Sequence, residues 1–137
     1  MRTARRRQTR CDQAGQAMVE FAIVGMTFII IMFGVIDLGR AVFQYNLLAS
    51  SAREGARVAI LQNNTDGDVI DRAVQSSAGM LDSGDVAITG SRSCSSVPCP
   101  SVTVTVSHEF TPVTPLIGTL IGGSISMTAS STMVVEK

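Results

Sequence analysis

A single glutamate, Glu20, stands inside the most apolar stretch of the chain, GQAMVEFAIV, which begins at Gly15. A carboxylate immersed in lipid costs on the order of 2.5 to 3.5 kcal/mol on insertion scales, so its presence there indicates a function. Its natural partner is an α-ammonium group. The alternative is that Glu20 lies near the lipid headgroups and extends toward water.

The rest of the sequence offers no arrangement typical of an enzyme. His108 is the only histidine, and its place at the end of a threonine–valine alternation predicts a strand residue rather than a general base. There is no glycine-rich phosphate loop with a lysine. We expect Asp66, Asp68 and Asp71 to serve as helix caps and surface charges rather than calcium ligands. The sequence therefore predicts no catalysis, no metal and no cofactor.

Two cysteines, Cys94 and Cys99, enclose the short loop SSVP. We expect them to form a disulfide, because this part of the chain is predicted, from the apolar and basic segments described below, to lie outside the cytoplasm, where thiols can be oxidised. For so small a loop the chain-entropy estimate of its stabilisation is about 2 kcal/mol. A closed zinc site would need more ligands than these two. Cys11 is expected to be cytoplasmic and unpaired.

The element that must position Glu20 is a long apolar helix. From Ala17 to Leu38 the chain runs for 22 residues in which only Glu20 and Asp37 are charged. As a helix this segment measures about 33 Å, enough to cross a hydrocarbon core of about 30 Å. The mean hydropathy of +0.31 is also high for a soluble domain. We predict a retained membrane span rather than a cleaved secretory signal, whose apolar core is shorter and ends in a small-residue site.

Arginine dominates the segment before the span. Residues 1–15 carry five arginines and one aspartate, a net charge of +4, although the whole chain is neutral. A basic cluster directly before an apolar run marks the cytoplasmic flank of a span, so the chain after about Arg40 is predicted to lie outside. A nucleic-acid-binding arm is the alternative, and we expect no nucleic-acid partner.

The helical pattern continues beyond the span. Small and apolar residues recur at three- and four-residue steps, which predicts one continuous helix over residues 16–61, about 46 residues long. The predicted stripe consists of Val42, Tyr45, Ala49, Ala52, Ala56 and Ala59. We expect this stripe to pack on the protein's own domain, and close approach of helices in an assembly is the alternative.

The C-terminal half changes from helical to strand periodicity. NNTDGD ends the long helix, and Asp66 or Asp68 is expected to cap a second helix that runs to about Met80. Short strands are predicted near Val86–Thr89, across the 102–107 alternation, and over 125–135. The last two are joined by an apolar segment, 112–123, that forms a helical turn or covers the sheet. The predicted second-helix face is Val69, Ile70, Ala73 and Val74.

These patterns predict an α+β protein in which a long transmembrane and amphipathic helix precedes a small helix and antiparallel strands outside the membrane. We divide the chain into a basic leader, 1–15, a transmembrane segment, 16–38, an amphipathic continuation, 39–62, and a small extracytoplasmic domain, 63–137. Because that domain is small, we expect it to need packing on the long helix or on neighbours.

The residues GQAMVEF resemble the recognition sequence of type IV-like prepilins. The wider run, from GQAMVEFAIV through SSAREGARVAI, resembles the TadE-like family of minor pilins, or pseudopilins, of tight-adherence (Flp/Tad) pilus systems. The resemblance implies that a prepilin peptidase cuts between Gly15 and Gln16. It also implies that Glu20, followed by the aromatic Phe21, is the carboxylate for processing and assembly. The closing pattern of the family matches this chain at Ala52, Gly55 and Ala56, which are implied helix-packing residues.

The resemblance implies a minor pilin that supports assembly of a Tad pilus used in adherence. Its implied partners are membrane lipid, other pilins or pseudopilins, the peptidase and the pilus assembly platform of the inner membrane. The protein would be a single-pass protein of that membrane, with its N-terminus cytoplasmic and its C-terminal domain periplasmic or extracellular, and it could enter the pilus. The alternative is an uncleaved anchor that holds a binding domain in an envelope or secretion complex.

Overall fold

In the computed structural model, the described residues are 5–61, 63–91, 93–95 and 98–135. The chain divides into two compact units, one ending at Asp37 and one beginning at Leu38. The architecture is α+β, with a long N-terminal apolar helix, a small helix and a three-stranded antiparallel sheet. The fold class predicted from the sequence is therefore confirmed.

Helix α1 covers Arg5–Ala59. The sequence predicts a continuous helix over 16–61, and the structure confirms this continuity. The helix is continuous because no proline interrupts the segment. The helix also includes residues 5–14 of the basic leader, to which we assigned no secondary structure. In the first unit the large apolar side chains from Met18 to Ile36 are exposed. An 18-residue window of this helix has a mean hydropathy of 2.5 with no residue buried, so it is long and apolar enough to span a membrane.

Helix α2, Asp66–Ser76, begins with a capping box. The Asp68 N–H donates to Thr65 Oγ1 at 3.3 Å, and the Thr65 N–H donates to the Asp68 carboxylate at 2.7 Å. Thr65 is thus the N-cap, and the prediction of Asp66 or Asp68 in that role is wrong. Asp68 instead occupies the third helical position, where its carboxylate satisfies the cap residue's own N–H group.

The C-terminal end of α2 also differs from the predicted end near Met80. Ser77 follows the last helical residue, and the backbone then enters the left-handed region at Ala78 (φ 54°) and Gly79 (φ 82°). Positive φ values cannot continue a right-handed helix, so α2 stops at Ser76. Val69 and Ala73 of the predicted apolar face are fully buried.

A short 3₁₀ turn, Ser83–Asp85, leads into the sheet. Strand β1 is Val86–Gly90, β2 is Ser101–Phe110 and β3 is Ile125–Val134, in the spatial order β1-β2-β3. Between β2 and β3 lies helix α3, Pro115–Ile121, with proline in its first turn and Gly122 as a left-handed C-cap. The three predicted strands are confirmed, and the predicted apolar connection is a short helix.

The core of the second unit lies between α1, α2 and one face of the sheet. Val102, Val104 and Val106 alternate along β2 and are fully buried in the same cluster as α1 residues from Leu48 onward. Two members of the predicted α1 stripe, Val42 and Tyr45, are instead exposed by 54% and 51%. The stripe prediction is wrong at these two positions, because helical periodicity cannot show where along α1 the covering core begins.

Gly55 lies where α1 packs against both α2 and β2. A Cβ atom at this position would lie 3.2 Å from a Val104 methyl and 3.3 Å from the Ala73 Cβ atom. The flanking residues Ala52 and Ala56 are fully buried. Small residues at these three positions therefore set the distance between the helix and the rest of the core.

We predict that Gly55→Val destabilises the second unit by about 1 to 3 kcal/mol, because its branched side chain overpacks the contact with Val104 and Ala73. Amide hydrogen exchange of β2, followed by mass spectrometry on the full chain in detergent, should show faster exchange. Gly39→Val is the matched control, since a Cβ atom at Gly39 meets no described atom within 4 Å. Equal exchange in the two variants would contradict the packing role of Gly55.

A disulfide joins Cys94 and Cys99, with 5.0 Å between their Cα atoms. Cys94 is buried in the core cluster and Cys99 packs against it. The bridge therefore attaches the β1–β2 connection to the core.

We predict that replacing both Cys94 and Cys99 by alanine lowers the stability of the second unit by about 2 kcal/mol, from the entropy of closing a small loop. Thiol alkylation before and after reduction measures the state of the pair directly. In the wild-type protein, both cysteines should react only after reduction. Alkylation of both without reductant, in protein isolated under non-reducing conditions, would contradict the bridge.

Candidate functional site

The predicted processing segment, Gly15 to Phe21, lies in the first unit on α1. Its side chains are open, with Met18 exposed by 78% and Phe21 by 79%. A Cβ atom at Gly15 would meet no described atom within 4 Å. Packing within the described part of this chain therefore does not require glycine at position 15.

The peptide bond between Gly15 and Gln16 is helical in this structure, because α1 begins at Arg5. A protease binds its substrate as an extended chain, so cleavage here requires local unwinding of α1. Glycine in a helix interior is about 1 kcal/mol less favourable than alanine. Gly15 therefore lowers the intrinsic stability of α1 at this position.

Glu20 lies one helical turn after Gln16, so both side chains share a face of α1. Together with Val19, Ile23 and Val24 they line a shallow groove of about 400 Å³. Glu20 is exposed, and it forms no hydrogen bond or ion pair within the described part of the chain. The groove thus presents one carboxylate without a cation, surrounded by apolar side chains.

A second carboxylate, Asp37, ends the apolar segment and differs from Glu20 in its environment. Asp37 is only 4% exposed, whereas Glu20 is exposed. The sequence identifies Asp37 only as a charge at the end of the predicted span, and nothing in its neighbours signals this burial. Of the two carboxylates, Glu20 is the one open to another molecule.

The residues Ala52, Gly55 and Ala56 are separate from this segment and belong to the second unit. All three are buried in its core. Val104 of β2 and Ala73 of α2 lie beside Gly55, and Ala52 and Ala56 belong to the same core cluster. This part of the predicted site positions the domain on its own helix and is not available to a neighbouring subunit.

Several polar side chains of the second unit lie in strands or bond to the backbone next to helix ends. His108 lies on β2 opposite Met127, and the Ser77 hydroxyl donates to the Val74 carbonyl at 2.6 Å while it accepts the Leu81 N–H. In the described ranges no three metal-binding side chains come together. Asp68 is engaged in the cap of α2.

Two surface features were not signalled by the sequence pattern. Glu54 accepts from Arg57 at 3.4 Å and from Arg72 at 3.3 Å, which ties α1 to α2. Exposed ion pairs of this kind contribute between zero and about 1 kcal/mol each. Arg40 lies 5.8 Å from the centre of the Phe110 ring, in the range of a cation–π contact. The Glu54–Arg72 and Arg40–Phe110 contacts link elements that are distant in sequence, so no local pattern could reveal these two.

Comparison with known proteins identifies the helical segment. The model of the TadE-like protein family matches residues 15–57, which include Glu20 and the three small packing residues. No curated protein and no solved structure matches the chain. The TadE-like family is associated with Tad pili and is not an enzyme family. The resemblance that the GQAMVEF motif indicates is thereby confirmed over residues 15–57, where the chain is similar to the TadE-like family.

Proposed function

We propose that the protein is a minor pilin, or pseudopilin, that a prepilin peptidase processes at Gly15 and that then supports assembly of a Tad pilus used in adherence. The main support for this proposal is the exposed segment from Gly15 to Phe21, at the start of the family match. There Gly15 is free of packing contacts, and Glu20 is exposed without a cation one turn after Gln16.

The membrane placement rests on the exposed apolar surface of α1. Fully burying a side chain such as Phe28 or Ile31, exposed by 62% and 60%, is worth about 1.5 to 3 kcal/mol relative to water. Many such side chains follow one another in the first unit, so this helix needs lipid or other subunits around it. The basic leader favours a cytoplasmic N-terminus, with the second unit on the outer side of the inner membrane.

Processing would change the chemistry of the groove. Removal of the leader leaves an α-ammonium group on Gln16 and removes the arginine cluster. In an assembly of parallel helices, a neighbouring subunit can present this group to Glu20. The resulting ion pair in a low-dielectric environment would neutralise both charges, and it would form only between cleaved subunits. Other pilins and the assembly platform of the membrane are therefore the proposed partners.

Cleavage is tested by the mass of the N-terminal peptide. We predict that the wild-type protein, isolated from cells with the full pilus system, begins at Gln16. Gly15→Leu should retain the leader, because a bulky side chain before the scissile bond obstructs the peptidase. Gly25→Leu is the matched control, since Gly25 lies in the same helix and a Cβ atom there also meets no described atom within 4 Å.

An intact leader in the wild-type protein would overturn the pilin proposal. It would instead favour the alternative function, an uncleaved single-pass anchor that carries a binding domain.

The carboxylate is tested after cleavage has been established. We predict that Glu20→Gln lowers the recovery of the protein with other pilus subunits by roughly tenfold or more, because a hydrogen bond to a charged group contributes about 1.5 to 3 kcal/mol. Glu20→Asp keeps the charge and should recover part of the association. Crosslinking in intact membranes, followed by immunoblotting, measures it. Unchanged association and fibre formation in Glu20→Gln would contradict the ion pair.

A further inference from the structure

Strand β3, Ile125–Val134, forms one edge of the sheet. It pairs with β2 through ten consecutive residues in an unbroken antiparallel register. On its other side, no strand of the described chain follows it. The opposite edge, β1, is half as long, with five residues. β3 is therefore the longer of the two edges at which another strand could pair.

The direction of the backbone groups on β3 follows from one hydrogen bond. The Val135 N–H donates to the Pro100 carbonyl at 3.0 Å, so residue 135 faces the β2 side. Backbone groups alternate in direction along a strand, and the register contains no bulge. The even-numbered residues of β3 therefore direct their N–H and C=O groups away from the sheet. These residues are Ser126, Thr128, Ser130, Thr132 and Val134, and all five are exposed.

Within its own residues, Ile125–Val134, strand β3 lacks the features that usually protect an edge against pairing. Its sequence, ISMTASSTMV, contains no charged residue and no proline. Proteins normally protect a long exposed edge with lysine, proline, a bulge or a covering segment. An edge of ten residues without these features is a template for a further strand.

The sequence of β3 indicates which strand fits there. Read outward from Ser130 in both directions, the residues nearly repeat, as an antiparallel pairing of two copies about a two-fold axis requires. The resulting cross-strand pairs are Ser130 with Ser130, Ala129 with Ser131, Thr128 with Thr132, Met127 with Met133, Ser126 with Val134 and Ile125 with Val135. The Ser126–Val134 pair joins a polar and a large apolar side chain, and Ala129–Ser131 joins two small side chains. The other pairs join side chains of the same kind.

We propose that β3 pairs antiparallel with β3 of a second copy of this chain, with Ser130 on the two-fold axis. The outward groups of the five even-numbered residues on each copy would then form about ten backbone hydrogen bonds. The two three-stranded sheets would become one sheet of six strands. This inference concerns the second unit alone, and it holds whether or not the leader is cleaved.

Side chains on both faces suit this pairing. Within the chain, the hydroxyls of Thr103 and Thr132 lie 2.8 Å apart across β2 and β3. Thr132 would face Thr128 of the second copy on its other side, so the hydroxyl-rich outer face continues across the two-fold axis. On the inner face, the half-buried Met127 of each copy would lie beside Met133 of the other, which continues the apolar face.

The test uses single cysteines in the full chain, with Cys11 replaced by serine and the native Cys94–Cys99 bridge retained. In a hydrogen-bonded antiparallel pair the Cα atoms are about 5.5 Å apart, within reach of a disulfide. We therefore expect Ser130→Cys to form a covalent dimer on mild oxidation in membranes. Thr128→Cys is the matched control on the same exposed face. Its two copies would lie four residues apart along the strands, about 13 Å, and should not crosslink.

A mixture of Thr128→Cys and Thr132→Cys chains provides the second readout, because these positions face each other between copies. We expect a mixed covalent dimer from that mixture. Absence of a Ser130→Cys dimer, or equal crosslinking of Ser130→Cys and Thr128→Cys, would overturn the proposed register and with it the proposal.

A charge at the axis gives an independent test without cysteine. Ser130→Lys places two like charges opposite each other in the pair, so the dimer measured by crosslinking with a chemical reagent should decrease at least fivefold. Ser107→Lys is the control, because Ser107 is exposed on the inner strand β2, away from the edge. Equal dimer in both lysine variants would also overturn the proposal.

Discussion

The close approach of α1 to β2 at Gly55 is the constraint on which the second unit depends. Val104 and Ala73 lie where any side chain at this position would have to go. Because Ala52 and Ala56 flank the contact, a sheet of three strands can rest directly on the helix backbone. Such a small sheet has too little core to be stable alone, and the helix supplies the missing side of that core. The alanine-rich part of the family match thus serves folding within one chain.

The composition of α1 changes along its length in accordance with this division. In the first unit the apolar residues are large and exposed, as at Phe21 and Phe28, whereas from Ala52 onward they are small and buried. Large exposed side chains have no partner inside the chain and need lipid or other subunits. Small buried ones are already satisfied. Contacts with other molecules are therefore expected from the apolar half of α1 and from the sheet edge, and not from the alanine stripe.

Much of the fold follows from local sequence patterns, and the differences have identifiable causes. The strand alternation around Val104 and the uninterrupted helical pattern of α1 are strong signals, and both are confirmed. The sequence does not identify the N-cap of α2, because NNTDGD contains several residues able to cap. Only the reciprocal bonds between Thr65 and Asp68 distinguish them. The prediction fails at Val42 because helical periodicity gives the direction of a side chain but not how far along the helix the packing partner extends. For the candidate site, the motif predicts Gly15 and Glu20, whereas the burial of Asp37 depends on tertiary structure and leaves no mark in the sequence.

The two proposed contacts between subunits, at Glu20 and at the β3 edge, differ in the free energy of the state in which each contact is not made. The outward backbone groups of β3 bond to water when no second strand is present, so pairing exchanges one set of hydrogen bonds for another and its net gain is small. An ionised Glu20 surrounded by lipid has no such substitute, and its free energy falls markedly when an ammonium group approaches. The Glu20 carboxylate is therefore expected to drive association. The β3 edge pairs specific side chains across the two copies, so it is expected to fix the orientation of two copies that are already close. Association would then depend on cleavage in the membrane. The relative orientation of the second units of two copies would depend on β3.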